Sequence, residues 1–150
     1  MTFDWSVITD NWPLLLYGAG NTILLAVCTM ALALPGGLFL AALRMTPWAP
    51  VRGFATAFVE FFRTTPVILQ VYWVFYVLPV MTDIRLSAFG TGLAALTLNV
   101  SAFNSETFRA GLNSIRPGQR NAGLSLGMSG WQVLRLVILP QAVPRVLPAL

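Results

Sequence analysis

TILLAVCTMALALPGGLFLAAL, residues 22–43, holds no charged side chain, and none occurs anywhere between Asp10 and Arg44. A helix rises ~1.5 Å per residue, so this run is long enough to cross a hydrocarbon core ~30 Å thick. Pro35-Gly36-Gly37 interrupts it. A membrane helix tolerates such a break where neighbouring helices cover the freed backbone groups. Gly37 and Ala41 add a small-xxx-small pair that lets a second helix come close.

The same alternation continues along the chain. Residues 44–52, with Arg44, Pro47, Pro50 and Arg52, read as a short loop. From Gly53 to Arg63 the pattern is helical but carries Glu60 and Arg63, which places its start in the membrane interface. A second charge-free span covers 64–82, opened by Pro66 and closed by Pro79. Asp83 and Arg85 mark a turn, 86–105 forms a third span, and 133–150 begins a fourth. Composition agrees: 57% of the 150 residues are hydrophobic and 9% charged, with a mean hydropathy of +0.74. A soluble domain carries about 25% charged residues. The expected class is an all-α integral membrane protein in the lipid bilayer, one domain over 1–150, with three complete spans and the start of a fourth.

All nine basic residues are arginine, scattered between apolar blocks, so the net charge of +4 forms no stripe for nucleic acid. Cys28 lies alone in an apolar run and offers neither a disulfide nor a metal set. There is no histidine, no metal-ligand cluster and no phosphate-cradling Gly-x-x-x-x-Gly-Lys run, so no catalytic residue and no metal ligand is assigned. Asp4 and Asp10 stand where a secretory signal would be basic, and the N-terminal run is expected to be retained. The arginines fix an orientation. Arg44 and Arg52 lie in the first loop, and Arg109, Arg116, Arg120 and Arg135 in or beside the third. By the positive-inside rule those loops face the cytoplasm and the N-terminus faces out.

Residues 115–140 carry the densest local signals. Pro117 suits a helix's first turn, and Gly127 suits a left-handed stop. Ser129 and Gln132 then have the spacing of a capping box. The pattern predicts a short helix over 117–127, a sharp stop and a re-entering span. The small residues Asn121-Ala122-Gly123 at its centre would let the backbone press into a partner's groove.

The run Gly118-Gln119-Arg120-Asn121-Ala122-Gly123-Leu124-Ser125-Leu126-Gly127-Met128-Ser129, followed by Val137-Ile138-Leu139-Pro140-Gln141-Ala142, resembles the EAA loop of ABC-importer permeases. It is similar in particular to the polar amino-acid subfamily, which serves histidine, arginine, glutamine, glutamate and related solutes. The likeness extends through Glu60-Phe61-Phe62-Arg63-Thr64-Thr65-Pro66, Leu98-Asn99 and Glu106-Thr107-Phe108-Arg109-Ala110-Gly111. The resemblance implies a type I importer fold in the bacterial cytoplasmic (inner) membrane. Two permease subunits, the same or homologous, enclose a central path. ATPase subunits dock on the cytoplasmic loops, here about 109–132, and hold the ATP and magnesium. A periplasmic or lipid-anchored binding protein delivers the solute. Such permeases usually have five spans, so this chain is expected to be C-terminally truncated relative to them. Asn121 and Gly123 stand where Glu and Ala are usual. Gly123 weakens a helix by roughly 0.8–1 kcal/mol relative to alanine. With Asn121 in place of the glutamate, docking is expected to rest on shape and to depend weakly on salt.

Polar side chains inside a span are functional candidates, because lipid burial is costly. Asn99 lies about 18 Å into the third span, close to mid-membrane. Its carboxamide suits either a zwitterionic solute in the substrate path or a hydrogen bond between helices. Gln70 on the second span has the same two readings. Glu60 with Arg63, and Glu106 with Arg109, are spaced as i,i+3 structural ion pairs. Tyr72, Trp73 and Tyr76 read as an interfacial aromatic belt, and Thr64-Thr65-Pro66 as a bend whose hydroxyls cover carbonyls freed by the proline. An ATP-driven importer is the leading function. A truncated or uncoupled scaffold of the same fold is one alternative. An ion-gradient-driven transporter is another, and it would need an unpartnered acid deep in a span.

Overall fold

The computed structural model describes residues 10–149, so Asp4, the N-terminus and the last residue of the fourth span lie outside the described residues. Helix α1 is Trp12–Arg44, with Pro13 in its first turn. It starts ten residues before the expected span at 22, because no charged residue stands between 12 and 21 and the proline there, Pro13, lies in the first turn. At 33 residues it extends about 50 Å. It continues through Pro35, and Pro13 occupies a position where a missing N–H costs nothing.

The first loop is shorter than the expected 44–52, because α2, Ala49–Thr64, takes Pro50 into its first turn. Helix α3, Val67–Thr82, follows after a bend of 104°. Pro66 disfavours helical backbone at Thr65, which is extended at φ −91°, ψ 128°. The expected span 64–82 therefore begins at Val67. Asp83, at φ 58°, ends α3. Helix α4, Ala88–Asn113, starts at Ser87, whose hydroxyl accepts from the Gly90 N–H. It runs well past the expected end at 105, since Glu106 and Arg109 are paired within it.

Helix α5 is Pro117–Ser125, with Pro117 in its first turn. Gly127 stops it at φ +80°. The Met128 N–H bonds Gly123 O at 3.2 Å and the Gly127 N–H bonds Leu124 O at 3.0 Å. That pair of bonds is the Schellman arrangement, and it makes the helix two residues shorter than 117–127. Both halves of the Ser129/Gln132 capping box form, and they open α6, residues 130–146, three residues before the expected start. A 3-10 turn, Leu147–Ala149, follows.

Two π turns were not foreseen from sequence. Trp73–Val77 in α3 directly precedes Leu78-Pro79, and Leu134–Ile138 in α6 directly precedes Leu139-Pro140. A proline has no N–H for the carbonyl four residues back, and a π turn hands that carbonyl to a later donor.

Helix α4 is the hub, packing against α1, α2, α3 and α6, and its contact with α1 is the most extensive in the fold. On α1 the buried residues Thr29, Ala33, Gly37 and Ala41 recur every four positions. On α4 they are Thr91, Ala95, Ala102 and Ser105, with Ser101 and Asn104 beside them. A Cβ on Gly37 would lie 2.6 Å from Asn104 Cβ and 3.1 Å from both Ser101 O and Ser105 N. The two backbones nearly touch. The buried side chains are small, the largest fully buried ones being Val59, Val133, Thr91 and Ser105, while many Leu, Phe, Trp and Tyr side chains face outward. An exterior of this kind fits lipid or partner helices. By length and composition, α1 alone among the described helices qualifies as a membrane span, and α2 with α3 qualifies as one bent pair.

Gly37→Ala is expected to destabilise the detergent-solubilised protein by about 1–3 kcal/mol, because its methyl group meets Asn104 Cβ and the backbone of Ser101 and Ser105, none of which can swing aside. Gly18→Ala, whose added Cβ would meet no packing neighbour within 4 Å among the described residues, is the control and should not destabilise. Thermal unfolding of the two variants compares them, and equal midpoints would rule out the close α1–α4 approach.

Candidate functional site

The helix break creates a carbonyl without a donor. Phe62 O would take its helical bond from residue 66, but that residue is Pro66. Two amides fill the gap: Gln70 Nε2 donates to Phe62 O at 2.9 Å, and Asn99 Nδ2 donates to the same oxygen at 2.9 Å. Gln70 Nε2 also reaches Thr65 O at 2.9 Å. The threonine hydroxyls do something different from what was expected of them. Thr64 Oγ1 donates to Glu60 O at 2.8 Å and Thr65 Oγ1 to Phe61 O at 2.7 Å, one carbonyl or two short of the freed one. Asn99 and Gln70 thus come together, with their donors committed to the chain's own backbone. Gln70 is 5% exposed, and its Oε1 has no hydrogen-bond partner among the described residues.

One turn or more along α4, Glu106 collects three arginines from three helices. Arg44, the last residue of α1, places Nη1 2.5 Å from Oε2 with its side chain only 7% exposed. Arg109 Nη2 bonds Oε1. Arg63 Nη1 stands 3.9 Å from both Glu106 Oε2 and Glu60 Oε1, and its guanidinium lies over the Phe103 ring at 5.5 Å. Both i,i+3 pairs read from the sequence are present, but the cross-helix bonds from Arg44 and Arg63 escaped it. The available signal was that Arg44 and Glu106 each close an apolar run.

Beside this cluster opens a cleft of about 420 Å³, lined among others by Arg63, Phe103, Glu106, Thr107, Ser114 and Arg145. Arg145 Nη1 donates to Ser114 O at 2.8 Å and to Ser114 Oγ at 2.9 Å. A second cleft of similar size lies at the Asp83–Arg85 turn, against Phe75, Pro79 and Val80. Among the described residues, no three His, Cys, Asp or Glu side chains stand together as a metal site.

On α5 the residues Gly118, Gln119, Arg120, Asn121 and Ala122 are exposed. Gly123 is not. A Cβ there would meet Val133 Cγ2 at 2.9 Å and Met128 Sδ at 3.5 Å. Its small size lets α5 pack on α6 of its own chain, which corrects the expectation that it faces a partner's groove.

Residues 33–150 match the family described as binding-protein-dependent transport system inner membrane component. The chain is 36% identical to a glutamate/aspartate import permease protein of Escherichia coli O157:H7, over 99% of this chain and 69% of the relative. It is 37% identical to the glutamine transport system permease protein of Escherichia coli K12, over 100% and 69%. The crystal structure of an amino acid ABC transporter with histidines superposes with a TM-score of 0.91 at 34% identity, covering 99% of this chain and 69% of that one. A MetNI methionine ABC transporter structure, at 23% identity and a TM-score of 0.62, shares the fold.

The two amides can be tested as a pair. Asn99→Leu or Gln70→Leu alone leaves Phe62 O one donor and should cost about 0.5–1.5 kcal/mol. The double variant leaves it none, and the loss should exceed the sum of the singles. Unfolding midpoints with a double-mutant cycle provide the readout, and additive losses would mean that the amides do not share the carbonyl.

Proposed function

This chain belongs to the binding-protein-dependent transport system inner membrane components, and we propose that it is the permease subunit of an ATP-driven importer for a polar amino acid. The observation that carries the reading is α5, a short helix set off from the apolar helices by Pro117 before it and by the Gly127 stop and Ser129 cap after it. It is the element on which an ATPase subunit docks, and ATP with its magnesium ion is bound and hydrolysed there rather than on this chain. A second permease subunit completes the path, and a binding protein delivers the solute.

The membrane-crossing elements are α1, the bent α2–α3 pair, α4 and α6. The N-terminus and the Asp83–Arg85 turn lie outside, and α5 lies in the cytoplasm, in keeping with the distribution of arginines. Asn99 and Gln70 border the solute path as residues that hold the α2–α3 bend, a discontinuity of the kind transporters place at their midplane sites. Glu60 and Glu106 each have arginine partners, which favours ATP drive over the ion-gradient alternative.

Single cysteines at Asp83 and Gln119, in a Cys28→Ser background, should react with an impermeant thiol reagent from the outside only at Asp83. External labelling at Gln119 would reverse the orientation. In a reconstituted transporter, ATP hydrolysis by the partner should rise when the solute-loaded binding protein is added. No response to any amino-acid-loaded binding protein would remove the importer assignment.

A further inference from the structure

The cleft between α2, α4 and α6 holds charges that do not balance. Glu106 is the one carboxylate among its lining residues. Both of its oxygens are taken, Oε2 by Arg44 and Oε1 by Arg109. Arg63, which also lines the cleft, stays 3.9 Å from Glu106 and from Glu60, too far for a hydrogen bond to either. Its Nε is buried and has no partner among the described residues. Arg145, on the α6 side, is exposed and donates to Ser114 O and Oγ. It pairs with no carboxylate among the described residues, and no Asp or Glu occurs in the sequence from 107 to 149. The guanidinium groups of Arg44, Arg63, Arg109 and Arg145 thus stand against the carboxylates of Glu60 and Glu106 alone. A guanidinium offers five donors in a fork that suits an oxyanion. Arg63 and Arg145 both have donors to spare.

This excess charge lies at a definite depth. Helix α4 rises ~1.5 Å per residue, so Phe103 is about 22 Å from Ala88, Glu106 about 27 Å and Ser114 about 39 Å. A hydrocarbon core is ~30 Å thick, which puts Phe103 inside it and leaves Ser114, with Arg145, in the headgroup layer. Phe103 is 47% exposed and lies under the Arg63 guanidinium. The cleft therefore offers an apolar wall toward the membrane centre and cations toward its surface. That order matches an amphiphile with an anionic head. An ammonium group would need an acceptor, and Glu106 has no oxygen left to give, so a zwitterionic head or a free amino acid fits less well.

We infer that this cleft binds an anionic phospholipid of the cytoplasmic leaflet, with its phosphate between Arg63 and Arg145 and an acyl chain along Phe103. Basic pockets between membrane helices on the cytoplasmic side take anionic headgroups in the same way. The choice of leaflet rests on the orientation proposed above; the binding chemistry does not.

The test adds dioctanoyl phosphatidylglycerol, dioctanoyl phosphatidylcholine or inorganic phosphate to the assembled transporter in a neutral detergent. Native mass spectrometry reads the bound molecules. Phosphatidylglycerol should bind about tenfold or more tightly than phosphatidylcholine, since only the former lacks a cation that the cleft would repel. Inorganic phosphate, without chains to lie on Phe103, should bind more weakly than phosphatidylglycerol. R145Q should weaken phosphatidylglycerol binding by about tenfold. R145K should recover most of that loss, because lysine keeps the positive charge. R52Q removes an exposed arginine of α2 outside the cleft and should change nothing. Equal affinity for the two lipids, or for phosphate without chains, overturns the proposal. So does an R145Q variant that binds like the parent, or an R52Q variant that loses as much as R145Q. Thiol labelling at Asp83 and Gln119 reads the orientation separately. If it reverses while phosphatidylglycerol still binds through Arg145, the lipid site stands and the assignment to the cytoplasmic leaflet falls.

Discussion

Two helix backbones can approach within contact only where no side chain stands between them, and in this fold that condition is met along one stripe of α1. Gly37 is its narrowest point, with Ala33 and Ala41 a turn to either side. The stripe fixes α1 on α4, and α4 in turn carries α2, α3 and α6. It also sets the register at which Arg44 meets Glu106. Without a hydrophobic driving force in lipid, such an interface depends on close packing and on polar contacts. Thr29, Thr91, Ser101, Asn104 and Ser105 are buried along it.

The second constraint is a missing hydrogen. Pro66 ends α2, frees the Phe62 carbonyl and turns the chain by 104°. Left bare in a low-dielectric setting, that carbonyl would cost about 1–3 kcal/mol. Gln70 from the near side and Asn99 from α4 both satisfy it, so the bend is tied to the hub helix. The amide contacts and the Glu106 cluster join the same helices, α2 to α4, at different heights.

What could be read from the sequence was whatever is local. The Pro117 start, the Gly127 stop and the Ser129/Gln132 box need only neighbours a few residues away, and all appear in the structure. Charge-free runs located the apolar helices, but their ends were missed where charged residues continue the helix, as Glu106 and Arg109 do in α4. Arg44 with Glu106 spans 62 positions, and no periodicity encodes that distance. Gly123 looked like a surface feature because Val133, which it packs on, lies beyond the stop. The amides of Asn99 and Gln70 were singled out by polarity alone, which cannot tell a solute from a backbone oxygen.

The π turns in α3 and α6 bear on how these helices can change over evolutionary time. Each accommodates one residue more than an α turn would, so the side chains before and after it are out of phase by about 100°. Loss of a single residue within 73–77 or 134–138 would restore α geometry, rotate one half-helix relative to the other and leave the carbonyl four residues before Pro79 or Pro140 without a donor. The same deletion inside 29–41 would swing Ala33 or Gly37 off α4 and put a leucine in its place. A length change thus rotates the buried Ala142 and Val146 of α6 as surely as it displaces the stripe of α1, and α1 has no π turn in which to absorb it.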